Sequence, residues 1–325
     1  RSDGRCDERR NGVIRLAPDG GRTITDLPRG SGAHSLAISP RGTVWLGTWP
    51  GASRLTEAGT WVTLTVTDGL ATRFVSAIAF DGDGAGWFLC AEQSRWDAAS
   101  DQTVVEREAG LTRLDGAGDL KTFRHPALVA RALEVDPAGG IWVSGRGQLL
   151  HLDPAGAWTA NPLPAAVSDA DVFAVATDAF GQQWVALAEP VGGEGRGVYR
   201  LATDGSWQGI DPTTGLPWTR VYDILPDDEG GVWVAGGDWS ASGDDRIPAV
   251  AHIDRAGVVT TRRMADAWPT LAGFDAGTTA LARDAAGRIL AAGTDGVLRR
   301  LEADGTHTAL YVQDGLHAGV NDLAR

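Results

Sequence analysis

Apolar and polar residues along this chain follow a short phrase that returns several times. Each copy begins with an alternating apolar strand, continues through Asp-x-x-Gly-x-φ-Trp, and then reaches a glycine before a polar strand. Alternation with a period of two is typical of a half-buried strand, and Asp-x-x-Gly marks a turn. The phrase therefore predicts a strand, a turn and a second strand. The clearest copies are Ala33–Trp45, Arg131–Trp142, Val172–Trp184 and Val221–Trp233.

The spacing of the copies defines a repeated unit. A 42-residue interval separates Ala33 from Val75, and other units carry insertions. Each unit holds four strand-length segments, and four antiparallel strands in about 40–45 residues are typical of a β-propeller blade. We predict an all-β protein, a single domain over residues 1–325, formed by seven four-stranded blades. Their inner strands are expected to start near residues 33, 75, 130, 172, 221, 278 and 320.

The seventh predicted blade is shared between the two termini. The copy that opens at Val320 stops after six residues, whereas the N-terminal segment from Asn11 onward matches the later part of a unit. Joining the two would close the ring of sheets and leave no open strand edge.

The fuller pattern adds Gly-φ-x-Arg-Leu and a closing Asp-Gly-Leu. It is best seen at Leu36–Leu70, and at Leu281–Gly305 with the closing tripeptide Asp314, Gly315 and Leu316. It resembles the two-component regulator propeller repeat. In that family such propellers commonly form the extracytoplasmic, ligand-sensing part of sensor kinases or related regulators. The resemblance implies a sensor-type domain in bacterial signal transduction, located in the periplasm or outside the cell.

Charge and hydropathy remove two classes of partner. The formal net charge is −13 and the isoelectric point is near 4.8, which argues against a nucleic acid because phosphate binding needs a basic face. No stretch approaches the roughly 18 apolar residues of a membrane span, so we expect no membrane insertion in this segment. The bias toward Arg, Ala, Gly and Asp suggests a GC-rich bacterial coding sequence.

Most of the thirteen tryptophans repeat with the blades. Eight recur at two fixed positions, on the second strand or after the last turn, and are interpreted as packing residues. The other five are expected to gather on the face where the central funnel opens. They are Trp49, Trp96, Trp218, Trp239 and Trp268. Three insertions that follow second strands point to the same face: Ala91–Ala109, Glu189–Arg196 and Asp238–Pro248.

A second candidate set lies one residue after each blade marker, at the predicted funnel mouth. Unlike the packing positions, this position differs in every blade, so it could recognise one asymmetric small molecule or glycan. Its members are His34, Ser76, Arg131, Phe173, Tyr222, Thr279 and Asn321. The alternatives are a water-filled channel with tolerated side chains, and tryptophans that pack their own loops.

Catalytic motifs with a defined spacing are missing from the sequence, and no cofactor or metal is predicted. We therefore favour a non-catalytic, sensor-like or carbohydrate-recognition propeller. One alternative is a lyase or hydrolase that uses His34 and His317 with a divalent metal, since the blades are distantly similar to those of streptogramin lyases. A further alternative is a platform for a protein partner.

Overall fold

The computed structural model describes residues 12–17, 21–27, 31–97, 102–189, 195–237, 249–264, 277–284, 286–293, 297–302 and 304–310. These residues form β-strands joined by turns, with one-turn 3-10 helices at Ala165–Val167 and Pro212–Thr214. Among them, no helix is long and apolar enough to cross a membrane. The prediction of an all-β protein is confirmed.

Six four-stranded antiparallel sheets follow one another along the chain, after an initial hairpin of β1 (Gly12–Leu16) and β2 (Arg22–Asp26). Blades 1 to 3 contain β3 (Ala33–Ile38), β4 (Val44–Thr48), β5 (Ala52–Leu55) and β6 (Trp61–Leu64); β7 (Val75–Phe80), β8 (Gly86–Cys90), then, after a second hairpin of β9 (Gln93–Asp97) and β10 (Gln102–Arg107), β11 (Gly110–Leu114) and β12 (Leu120–Phe123); and β13 (Leu128–Val135), β14 (Ile141–Gly145), β15 (Gln148–Leu152) and β16 (Trp158–Pro162).

Blades 4 to 6 have the same order of strands. They contain β17 (Asp171–Thr177), β18 (Gln183–Ala188), β19 (Gly195–Leu201) and β20 (Trp207–Ile210); β21 (Arg220–Pro226), β22 (Val232–Gly237), β23 (Ala249–Ile253) and β24 (Val259–Arg263); and β25 (Thr278–Arg283), β26 (Ile289–Gly293), β27 (Leu298–Leu301) and β28 (His307–Leu310).

The first strands of consecutive blades contact each other, so they form the inner wall of the propeller. Apolar residues lie between neighbouring sheets, as the alternating pattern requires. The largest cluster joins blades 4 and 5 and includes Trp184, which is fully buried, together with Val198 and Val234. Other clusters join blades 1 and 2, 2 and 3, 3 and 4, and 5 and 6. Each blade is thus stabilised mainly by its two neighbours.

The turn between the first and second strands is built in nearly the same way from blade to blade. In blade 4, the carboxylate of Asp178 accepts hydrogen bonds from the backbone N–H of Phe180 and of Gln182, at 2.8 and 3.0 Å. The glycine at the fourth position, Gly181, has a φ of 78°, a conformation that side chains disfavour. The same carboxylate–backbone bonds recur at Asp81, Asp136, Asp227 and Asp284.

Seven blades are not confirmed, because the described residues contain six complete ones. The hairpin of β1 and β2 nevertheless lies where the outer half of another blade would be. Trp61 of blade 1 donates its indole N–H to the carbonyl of Asp26, the last residue of β2, at 3.0 Å. Trp207 of blade 4 makes the same 3.0 Å bond to Pro162, the last residue of β16 in blade 3. The predicted inner strand at Val320 lies outside the described residues.

The insertion Ala91–Ala109 differs from the long loop that the sequence suggested. Most of it forms the hairpin of β9 and β10, which pairs only with itself among the described residues. One side carries Arg95, which pairs with Asp97 and Glu106 at 3.4 and 3.2 Å. Alternating β-branched and charged residues favour strands, which explains why this segment pairs instead of remaining irregular. Residues 190–194 and 238–248, in the other two insertions, lie outside the described residues.

Candidate functional site

A β-bulge interrupts the first strand of the blades near its start. The pairing with the second strand skips His34 in blade 1 and Phe173 in blade 4. In blade 3 the interruption is wider and contains Arg131, whose backbone N–H donates to the hydroxyl of Ser144 at 3.1 Å. The remaining skipped residues are Ser76, Tyr222 and Thr279. Each of the six described members of the variable set therefore occupies a bulge, and Asn321 lies outside the described residues.

All of these bulges lie at the same end of the central channel, because the inner strands run in the same direction and the bulge follows their start. We call this the bulge end, and the opposite end, with the Asp-x-x-Gly turns, the turn end. A bulge leaves one residue out of the ladder and re-aims its side chain, and bulges are common beside active sites. The backbone thus separates these six residues from the packing positions.

An exposed aromatic cluster occupies the bulge end at blades 1 and 2. The His34 ring meets the edge of Phe74 with centroids 4.6 Å apart, and the Trp49 ring lies 5.2 Å from Phe74. The Arg73 guanidinium stands 5.2 Å above the Trp49 ring. Trp49 is 52% exposed, although a side chain of this size usually buries most of its surface against neighbouring residues. The four side chains present aromatic faces, a cation and an imidazole together.

Burial lowers the pKa of His34 below its ordinary value, so its imidazole is neutral at pH 7. A neutral imidazole offers one hydrogen-bond donor and one acceptor. No described residue bonds to the ring nitrogens of His34, which leaves both available to a ligand. The second histidine of the catalytic alternative, His317, lies outside the described residues, and those residues hold no group of three metal-ligating side chains.

A charged group lies at the bulge end of blades 3 and 4. The guanidinium of Arg131 stands 4.7 Å from the centre of the Phe173 ring, and its Nε lies 3.6 Å from Oδ2 of Asp171. Asp171 is only 5% exposed. Arg131 Nε and Asp171 Oδ1 are buried, and neither has a hydrogen-bond partner among the described residues. Buried polar atoms in this state are uncommon and call for an explanation.

Ser76 and Thr279, two other members of the variable set, have structural roles. The hydroxyl of Ser76 donates to the carbonyl of Leu89 at 3.1 Å, and that of Thr279 donates to the carbonyl of Ala292 at 3.3 Å. Both carbonyls belong to the second strand opposite the bulge, so these hydroxyls bridge the interrupted ladder. Tyr222 lies close to Gly277, where an added Cβ would stand 3.8 Å from the ring.

The five irregular tryptophans do not share one environment. Trp218 is 6% exposed and belongs to the core between blades 4 and 5, so it is a packing residue and not the surface residue that was expected. Gly236 leaves the space that its indole fills, since a Cβ there would overlap Trp218 Nε1. Trp96 is 60% exposed on β9. Trp239 and Trp268 lie outside the described residues.

Two histidine–carboxylate pairs at the turn end were missed by the sequence analysis. His151 lies 2.7 Å from Asp136, and His252 lies 2.6 Å from Asp227. The ring of the second-strand tryptophan stacks on each histidine. In blades 2 and 4 a tryptophan instead donates directly to the turn aspartate, at 3.0 Å. The sequence did offer a signal, because a histidine recurs at the same position of the third strand in blades 3 and 5. Both histidines hold the aspartate of their own turn, which is a structural role.

Glu134, on the inner strand of blade 3, was also missed. It occupies the position that Ala37, Ala79, Ala176 and Ala282 hold in other blades, opposite the second-strand Trp position. Burial, together with the negative charge of Asp223 from blade 5, raises the pKa of Glu134 to about 8. The carboxyl group is therefore mostly protonated at pH 7.

Comparison with known proteins agrees with this architecture. Residues 215–238 match the family described as two component regulator propeller. No curated protein sequence matches the chain significantly. Among solved structures, a streptogramin B lyase has a TM-score of 0.65 at 14% identity, over 94% of this chain and 90% of that chain.

Two further structures extend the comparison. A catalytically inactive virginiamycin B lyase from Staphylococcus aureus, with quinupristin, has a TM-score of 0.64 at 15% identity, over 94% of this chain and 90% of the other. The extracellular domain of a putative one component system from B. thetaiotaomicron has a TM-score of 0.48 at 16% identity, over 95% of this chain and 47% of the other.

These features define a β-propeller of four-stranded antiparallel blades, with a candidate site at the bulge end. The low identities to the lyases limit that likeness to the fold. The match of residues 215–238 to the two component regulator propeller model agrees with the resemblance that the repeated phrase suggested.

Proposed function

We propose that this propeller is a non-catalytic recognition domain that binds a small molecule or glycan at the bulge end. The observation that carries the proposal is the coincidence of the non-repeating side chains with the six bulges. A scaffold requirement would give the same residue in each blade, whereas recognition of an asymmetric ligand requires different ones. His34, Arg131, Phe173 and Tyr222 are the members with side chains suited to this role.

The aromatic cluster supports a ligand with a flat or partly apolar face. Trp49 and Phe74 supply rings, Arg73 supplies a cation above one of them, and neutral His34 supplies hydrogen bonds. Sugar rings and aromatic groups fit such a surface, because their faces stack while their polar edges bond. The exposed Trp96 extends the same chemistry along β9, because Thr72 and Phe74 hydrogen-bond to Ala91 at the base of that hairpin.

The family repeat favours a sensor role. Propellers with this repeat commonly form the ligand-sensing, extracytoplasmic part of bacterial regulators, and we propose the same location and role here. A protein partner at the exposed hairpin stays an alternative that the binding experiment below can reveal.

The test is a screen on a glycan array and a small-molecule library, followed by calorimetric titration of the best ligand. Trp49→Ala is expected to weaken binding about tenfold or more, which corresponds to about 1.4 kcal/mol. His34→Ala is expected to weaken it as well. Phe180→Ala is the matched control, because Phe180 is 47% exposed and also lies beneath an arginine, Arg255, but at the turn end. Unchanged binding in both bulge-end variants would contradict the proposal.

A further inference from the structure

The guanidinium of Arg131 is fixed from two sides while its outer edge stays open. Phe173 covers one side at 4.7 Å, and Asp171 faces Nε at 3.6 Å. The side chain of Arg131 is still 31% exposed, whereas that of Asp171 is only 7% exposed. No described residue accepts a hydrogen bond from its two terminal nitrogens. The structure therefore holds a planar donor group in place without using its outer donors.

The geometry around Asp171 is too loose for a completed ion pair. A charge-assisted bond between nitrogen and oxygen normally measures about 2.7–2.9 Å. Here the separation is 3.6 Å, and Arg131 Nε and Asp171 Oδ1 both lack a partner despite burial. Leaving charged groups partly unpaired in this way costs free energy. An orienting role accounts for the arrangement, with Asp171 aiming the guanidinium and not consuming its donors.

Local charge favours an anion although the whole chain is acidic. Arg146 lies nearby along the backbone, because it forms an isolated antiparallel bridge with Asp171. Arg146 and Arg73 are exposed residues of the bulge end, and no described acidic side chain pairs with either. Cationic side chains without an acidic partner attract anions locally, irrespective of the net charge of the whole chain.

We propose that Arg131, oriented by Asp171 and Phe173, binds a carboxylate of the ligand. Guanidinium groups bind carboxylates through two parallel N–H···O bonds, which would use the two open nitrogens. The ligand is accordingly an acidic one, such as a uronate sugar. This inference rests on the proposed function and names the class of ligand for that site.

The probe is D-glucuronate, with D-glucose as its neutral match, added to the whole chain and followed by NMR of the arginine side chains. Glucuronate is expected to shift the Arg131 Nε signal, with weaker binding at higher salt. Glucose is expected to bind with at most a tenth of the affinity of glucuronate. No shift with glucuronate, or equal affinity for glucose, would overturn the inference.

Variants separate recognition from folding. Arg131→Gln is expected to lower glucuronate affinity at least tenfold. Arg131→Lys keeps a positive charge beside Asp171 but loses the planar fork, so we expect a smaller loss and preserved stability. Arg113→Gln is the control, because Arg113 also stacks on an aromatic ring, at 5.7 Å from Trp87, away from the bulge end. Equal affinity in Arg131→Gln, Arg131→Lys and the wild type would overturn the inference.

The outcomes distinguish this inference from the broader proposal. If a neutral ligand binds and depends on Trp49 and His34 but not on Arg131, the carboxylate site is wrong and the recognition function stands. If no ligand depends on any residue of the bulge end, both are wrong.

Discussion

The two ends of the channel are built from opposite kinds of sequence. At the turn end an aspartate repeats from blade to blade and bonds the backbone of its own turn, as at Asp178 and Asp284. At the bulge end the backbone repeats its bulge while the side chain changes, from His34 to Arg131 to Phe173. The first end satisfies backbone donors, whereas the second presents different groups on a common frame.

This difference teaches how a repeat protein can keep its fold and gain a site. A turn that must close a hairpin allows few solutions, so its residues recur. A bulge needs only an additional residue, so the identity of that residue is open to selection for another purpose. The histidine–carboxylate pairs at the turn end fit this view. In blades 3 and 5 a histidine bonds to the turn aspartate, whereas in blades 2 and 4 the indole of a tryptophan does so.

The largest expected effect is at the turn end. Asp178→Ala removes two backbone bonds and the 3.0 Å bond from the indole of Trp184 in a site where Asp178 is 3% exposed. Unsatisfied buried donors should lower the free energy of unfolding by about 3 kcal/mol. Urea denaturation of the variant and the wild type measures this loss. Asp204→Ala is the control, because Asp204 is exposed and bonds only within its own turn, to Ser206. It should cost much less stability, and a similar loss in both variants would break the comparison.

A smaller effect tests Glu134, a non-repeating acid on the inner strand of blade 3. Since the pKa of Glu134 is raised to about 8, the folded protein retains a proton that the unfolded chain releases from about pH 4 upward. Stability is therefore lost as the pH rises toward 8. Glu134→Gln should be more stable than the wild type by about 2 kcal/mol at pH 6, and the gain should vanish near pH 4. A constant difference over this range would contradict the assignment.

The histidine pairs should give a moderate effect with the opposite dependence on pH. Burial raises the pKa of Asp136, but the hydrogen bond with His151 and those from Gly140 and Ala138 outweigh burial and lower it. The resulting stability is present above the unfolded pKa near 4 and is lost as the pH falls through the folded pKa. His151→Phe should lower stability by about 1 kcal/mol at pH 7 and by less in acid. Thermal unfolding at several pH values measures the difference.

The smallest stability effect is expected on the hairpin of β9 and β10. Trp96 is 60% exposed, so Trp96→Ala should change the free energy of unfolding by less than about 0.5 kcal/mol. Trp218→Ala, in the core, should cost about 3 kcal/mol or more. Parallel denaturation of the two variants sharpens the distinction between a surface and a packing tryptophan. A large loss in Trp96→Ala would show that the hairpin packs on the propeller.

Much of the fold was predictable because repetition is visible in one dimension. Trp184 and its counterparts recur at a fixed offset from the turn, and the variable residue recurs at a fixed offset from the strand start. The wrong expectation for Trp218 had a different origin: its burial depends on the space left by Gly236, which no spacing reveals. The hairpin of β9 and β10 was hidden for a similar reason, because an insertion breaks the period that identifies the other strands.

The sequence by itself determined the blade, its turns and the positions that do not repeat, because each follows from local propensity and from period. Only the tertiary structure decided which distant residues meet. It set Arg131 beside Asp171 and Phe173, brought Asp223 of blade 5 close enough to raise the pKa of Glu134, and grouped His34 with Trp49 and Phe74. Those neighbours come from different blades or connections, and their contact exists only once the sheets pack around a common axis.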